Sequence, residues 1–278
     1  ISNPDIAELR FENILDEEVQ DLSSITCPQL ERLSITQCPE LTSFPWCNYV
    51  GPNLRCLHLA GLTWMTRDDV ITIGNACRAL KTLALRFIPL NDSVLAHFAT
   101  LCPTIKELDL VSNTVVTDAG ILSIVENLPQ LEMIVLCGCK KLTYKSIEHL
   151  YTYCKETLCD LRVDVHSGNV EALANLFTHC NIHYFELIGS AALTTAQLEP
   201  LFARAANLPK LLVSGVQMLD DVLCLVGKHC HNLRELKAEN PLHLIHPNQV
   251  NHVNGYESDA SSMESENSFD LDADSDSG

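Results

Sequence analysis

The 278-residue sequence is 46% hydrophobic but only 6% aromatic, and its formal net charge is −18. The apolar share is ordinary for a globular protein and sufficient for a sizeable core. The charge excludes a nucleic-acid groove or an anionic-membrane surface, since both need clustered lysine and arginine. Thirteen cysteines, an odd number with no signal peptide ahead of them, point to free thiols in the cytosol or nucleus. No run reaches the roughly 18 apolar residues of a membrane span.

The chain opens on Ile1, not Met, so it reads as a fragment or a processed chain, with upstream residues expected to cover its first edge. A phrase with apolar residues at its first, fourth and sixth positions then recurs. It begins as a degraded copy, Ile6–Leu9–Phe11, and continues as Leu30–Leu33–Ile35, Leu54–Leu57–Leu59, Leu80–Leu83–Leu85 and Ile105–Leu108–Leu110. Next come Leu131–Ile134–Leu136, Leu158–Leu161–Val163 and Ile182–Phe185–Leu187. A further copy is expected to start near Leu211, where Ser214 and Val216 fit poorly, and Leu233–Leu236–Ala238 closes the series. The mean spacing from Ile6 to Leu233 is about 25 residues, inside the leucine-rich-repeat range.

Alternation within each phrase predicts a short strand with one buried face. Between phrases, apolar residues three and four apart predict helices, as in Val94, Leu95, Phe98 and Leu101 or Ile121, Leu122, Ile124, Val125 and Leu128. Thr66–Asp69 and Thr194–Gln197 read as capping boxes, with Asn91, Thr117, Thr143 and Asp220 at the matching place elsewhere. Two stretches break the pattern. Pro39 to Trp46 cannot hold a helix across Pro45, so an extended or single-turn link is expected; the stretch after Pro209 reads as a local deformation.

Cysteines mark fixed places. Cys27, Cys77, Cys102 and Cys230 fall three residues before a phrase, and Cys154 and Cys180 are displaced by one. Cys38, Asn113 and Cys139 fall three residues after one, where an inward side chain can bond backbone groups left unpaired at the turn. Phrases such as Val116-Thr-Asp-Ala-Gly-Ile-Leu-Ser-Ile, Cys102-Pro-Thr-Ile-Lys-Glu-Leu-Asp-Leu and Leu136-Cys-Gly-Cys-Lys-Lys-Leu-Thr resemble the cysteine-containing leucine-rich repeat. That repeat is typical of F-box/leucine-rich-repeat substrate receptors and of relatives lacking an F-box. The resemblance covers roughly residues 5–240 and implies an α/β solenoid. The expected shape is a right-handed horseshoe, with parallel strands on the concave face and helices on the convex face. It also implies a concave face or terminal edge that holds a substrate. In that family an F-box before the repeats recruits an adaptor of a cullin-type ubiquitin ligase. No F-box is found in this sequence: either it lies upstream, and an adaptor would bind through that missing N-terminal segment, or the protein never had one.

The expected organisation is a solenoid over residues 1–240, a cap over 241–256 using Leu242, Leu244 and Ile245, and a disordered acidic tail over 257–278. Eight of the 36 acids lie from Glu257 onward, with no lysine or arginine among them. Ser261 precedes Glu264 at a spacing acidophilic kinases favour, although a solvated spacer is the simpler reading of the tail.

Outward strand positions define the candidate partner-binding surface. One row runs Arg32, Cys56, Thr82, Glu107, Met133, Asp160, Tyr184 and Glu235; the next runs Ser34, His58, Ala84, Asp109, Val135, Arg162, Glu186 and Lys237. Arg86, Phe87, Val111 and Ile188 lie just past the strands. The site residues are His58, Arg86, Phe87, Asp109, Val111, Met133, Val135, Arg162, Tyr184 and Glu186, with Phe87, Val111, Met133 and Val135 expected as an exposed apolar patch. Cys137-Gly-Cys139 and His229-Cys230-His231 are the tightest metal-like clusters, but they lie several repeats apart and their cysteines have structural explanations. No cofactor is expected. No phosphate loop, nucleophile elbow or zinc-protease motif is present. The leading expectation is a non-catalytic substrate-recognition module of a ubiquitin ligase. An assembly scaffold is the alternative, and a GTPase-activating leucine-rich-repeat protein is disfavoured because such repeats are typically longer.

Overall fold

The computed structural model describes residues 5–166, 168–189, 193–215 and 219–239. The expected cap, the acidic tail and Ser261 lie outside these residues. Ten parallel strands form one sheet, each strand pairing with the next in chain order. They are β1 (Glu8–Glu12), β2 (Arg32–Thr36), β3 (Cys56–Ala60), β4 (Thr82–Arg86), β5 (Glu107–Asp109), β6 (Met133–Val135), β7 (Asp160–Val165), β8 (Tyr184–Gly189), β9 (Lys210–Ser214) and β10 (Glu235–Glu239). Eight helices alternate with them among the described residues: α1 (Asp16–Leu22), α2 (Arg67–Ala76), α3 (Asp92–Leu101), α4 (Asp118–Asn127), α5 (Tyr144–Tyr153), α6 (Val170–His179), α7 (Thr195–Arg204) and α8 (Leu219–His229). This is an α/β solenoid.

The apolar positions of the phrases explain the stack. Leu33, Leu57, Leu83, Leu108, Ile134, Leu161, Phe185 and Leu211 pair across the sheet at one register. All are at most 2% exposed and belong to one continuous core between strands and helices. Strands sit about 4.8 Å apart whereas packed helices need about 8–10 Å, so the sheet takes the inner side of the curve.

Unit nine corrects the expected register. The buried phrase is Leu208–Leu211–Val213, at 1%, 1% and 0% exposure. Leu211 pairs with Phe185 and Leu236, so it is the second apolar position and not the first. The strand after Pro209 is regular, and the repeat spacing holds from β8 through β9 to β10. Asp220 is also reassigned: α8 begins at Leu219, which places Asp220 in the first helical turn, where a carboxylate favours the helix dipole.

The five other expected caps, Thr66, Asn91, Thr117, Thr143 and Thr194, each stand at the start of a helix. Thr66 Oγ1 accepts from Asp69 N–H at 3.3 Å while the Asp69 carboxylate accepts from Thr66 N–H at 2.7 Å. Gln197 Oε1 accepts from Thr194 N–H at 2.9 Å. Asn91, Thr117 and Thr143 each cap their own helix. Unit two has no α-helix; a single 3-10 turn, Trp46–Asn48, follows Pro45. Its aromatic residues fill the space instead, with Phe44 lying 4.9 Å from Trp46 and 5.2 Å from Tyr49, centroid to centroid.

All thirteen cysteines are free, and nine are buried. Cys77, Cys102, Cys154 and Cys180 are C-cap residues of α2, α3, α5 and α6. At the inward turn, Cys139 Sγ donates to Leu110 O at 3.0 Å and Cys38 Sγ to Thr36 O at 3.1 Å. The Asn113 amide donates to Leu85 O and Leu110 O. Cysteine and asparagine thus serve one purpose, donating from the turn to carbonyls at the strand ends.

Candidate functional site: the inner face of the sheet

Three rows of side chains project from the inner face. The first and second follow the expected rows and gain Lys210 and Leu212 from the corrected ninth unit. The third lies one pleat further along and contains Thr36, Ala60, Arg86, Val111, Cys137, Asp164, Ile188 and Ser214, continuing the cross-strand pairs Ala60↔Arg86, Asp164↔Ile188 and Ile188↔Ser214. Arg86, Val111 and Ile188 of this row were expected at the surface; Cys137 and Asp164, at the equivalent places of neighbouring units, were not.

The middle of the face carries a second apolar cluster, separate from the main core. Val111, Val135 and Cys137 form its floor, with Phe87, Met133 and Ile188 partly buried around them. The expected exposed patch therefore needs correction. Val135 is only 2% exposed and Val111 9%, because side chains from adjoining units close over them. Phe87 and Met133 carry the accessible apolar surface.

Ion pairs lie on both sides of this cluster. Arg86 contacts Asp109 through Nε at 2.7 Å and Nη2 at 2.5 Å, and Asp109 Oδ1 also accepts Val111 N–H at 3.0 Å. Asp109, 3% exposed, is an internal strut that positions Arg86 and the start of the third row. On the other side, Arg162 grips Asp160 with two contacts of 3.1 Å, approaches Glu186 at 3.8 Å and stacks over the Tyr184 ring at 4.6 Å. Arg162 is also nearly covered, at 9% exposure. The ten candidate residues thus divide into a buried frame of Asp109, Val111, Val135 and Arg162, and a rim of His58, Arg86, Phe87, Met133, Tyr184 and Glu186.

Nearer the N-terminus, His58 Nε2 lies 3.3 Å from Cys56 Sγ. Burial pushes the Cys56 thiol up to about 11 and holds the His58 imidazole below its ordinary value. A nucleophilic cysteine needs its thiolate favoured; here both groups are held neutral, so the pair is a thiol–imidazole contact. Cys137 belongs to the inner-face cluster and Cys139 to the main core, so their side chains enter different environments. His229 lies beside Glu199, with Nε2 3.5 Å from Oε1. The described residues contain no group of three or more metal-ligating side chains, and none of their helices is long and apolar enough to cross a membrane.

No family model matches the chain. A stretch of 101 residues, 36% of the chain, is 27% identical to the BTB/POZ domain-containing protein FBL11 of Arabidopsis thaliana. The chain spans about a tenth of that relative, 10% of its length. Among solved structures, it is similar to the Rad7 and Elc1 complex of yeast, with 16% identity and a TM-score of 0.44 over 82% of this chain and 75% of that one.

Proposed function

We propose that the chain is a protein-interaction module whose strand-lined face binds a partner protein, and that its biological role is substrate recognition in a cullin-type ubiquitin ligase. The observation that carries the binding reading is the second apolar cluster. The fold needs apolar residues between sheet and helices, yet Phe87, Met133 and Ile188 gather on the opposite side of the sheet. Apolar residues placed where the fold does not require them mark an interaction surface. The ligase role draws on the resemblance of the repeat phrases to those of F-box/leucine-rich-repeat substrate receptors. Binding through an adaptor would use a segment on the N-terminal side, and the expected compartment is the cytoplasm or nucleus.

The test is affinity purification of the intact protein with mass spectrometry, repeated with Phe87→Asp and Met133→Asp. The reading expects partners that are lost in both variants while the melting temperature is retained. Cullin-ligase adaptor subunits among the stoichiometric partners would support the ligase role. A stable complex without them would favour an assembly scaffold, and undiminished recovery with both variants would reject the inner face as the binding surface.

A further inference from the structure

The backbone identifies one residue of the inner face as unusual. Several units end their strand with a residue in the left-handed region: Asn13 at φ 56°, Gln37 at 56°, Gly61 at 76°, Phe87 at 56°, Ser112 at 57°, Gly138 at 74° and Gly215 at 70°. Glycine adopts this conformation without cost and asparagine at little cost, whereas a bulky side chain is a genuine outlier there. Phe87 N–H still donates to Val111 O at 2.9 Å, as Gly61 N–H does to Arg86 O, so the ladder constrains the position whatever residue occupies it. A phenyl ring at such a place points to a use outside the fold. The ring packs on the Val111, Val135 and Cys137 floor and remains partly open.

A second observation sets the chemistry of what the strip can take. In the third row Asp164 interrupts the apolar residues, pairing with Ile188 on one side and accepting Gly138 N–H at 2.6 Å on the other. Burial raises its pKa, and neither the Gly138 hydrogen bond nor nearby His166 offsets that effect. A cation at this place would relieve it. The two arginines that flank the cluster already hold acids of the same sheet. The chain's net charge of −18 also draws basic segments toward it at long range.

We propose that this strip receives an extended segment of a partner protein bearing an apolar side chain and, two to four residues away, a lysine or arginine. The apolar group packs on Phe87, Val111 and Met133, and the cation lies at Asp164. Val111 and Asp164 stand two strands apart, about 10 Å, which about three residues of extended chain span. The inference rests on the reading that this face binds protein, and it names the partner's chemistry.

The experiment is selection of a phage-displayed random peptide library on the purified 278-residue protein. Selected peptides are then titrated by fluorescence anisotropy against wild type, Phe87→Gly, Asp164→Asn and Asp164→Lys, each variant checked by thermal melting. The selected sequences should share the apolar–basic spacing. Their affinity should fall about tenfold or more with Phe87→Gly and with Asp164→Lys, and less with Asp164→Asn, which keeps an acceptor for Gly138 N–H. Peptides that depend on Phe87 but are indifferent to charge at position 164, or that prefer acidic residues, would overturn the inference and leave the inner face as a binding surface. A library that yields no peptide distinguishing wild type from Phe87→Gly would overturn both.

Discussion

Replacing Phe87 with glycine separates what the fold needs from what a partner needs. The left-handed backbone at φ 56° costs a side chain with a Cβ about 1–2 kcal/mol, which glycine removes. Against this, the partly buried ring gives up about half the value of a fully buried phenylalanine, about 1–1.5 kcal/mol, and glycine loses about 0.5–1 kcal/mol more chain entropy on folding. The terms nearly cancel, and Phe87→Gly should stay within about 1.5 kcal/mol of wild type. Phe98→Ala is the control: that ring is 1% exposed in the main core, and its loss should cost about 3–5 kcal/mol. Urea unfolding followed by circular dichroism measures both. Should Phe87→Gly cost as much as Phe98→Ala, the ring is a structural element and the strained position carries no sign of function.

Three further outcomes follow from the geometry. Burial raises the Asp118 carboxyl, but hydrogen bonds from Ser146 and Thr143 outweigh it and hold the pKa below 3.8; Asp118 should therefore stabilise the fold above about pH 4 and lose that contribution as pH falls through its lower folded value, a step that acid unfolding of Asp118→Asn should lack. Asp164 has the opposite sign: its raised pKa penalises the charged form above that pKa and relaxes as pH falls, so Asp164→Asn should match or exceed wild-type stability at pH 7 in urea titrations. Asn113→Ala should cost about 1–3 kcal/mol by taking the side-chain donor from Leu85 O, whereas Leu110 O keeps Cys139 Sγ and the backbone N–H of residue 113. Asn113→Cys should cost less in the same assay, since Cys139 meets this need one unit later.

Most of the solenoid was legible because its apolar spacing is itself the packing rule. Leu33, Leu57 and Leu83 recur because each must meet its neighbour across the sheet. The reading slipped at unit nine, where Pro209 follows Leu208 and Leu211, Leu212 and Val213 are contiguous apolar residues. Alternation could not choose a register there; burial of Leu211 and Val213, with Leu212 half-exposed, decides it. The inner face was legible as rows but not as relief. That Asp109 and Val135 are covered while Phe87 remains partly open depends on side chains of adjoining units, which one strand's pattern does not report. The left-handed turn at Phe87 lies one residue beyond the strand and left no mark in the apolar period. Asp164 and Cys137 each follow the last apolar position of their phrase, so its period says nothing of them.

On the proposed function, the strand-lined face, and not the helical face, meets the partner. Site-specific incorporation of a photo-crosslinking phenylalanine analogue tests this directly, with Met133 on the inner face and the exposed helix residues Tyr144 and Tyr153 as the comparison positions. After irradiation in cells, the label at position 133 should give a discrete crosslinked partner that the Phe87→Gly background loses, and the labels at 144 and 153 should not. Crosslinks formed from the helical face and absent from position 133 would contradict the account.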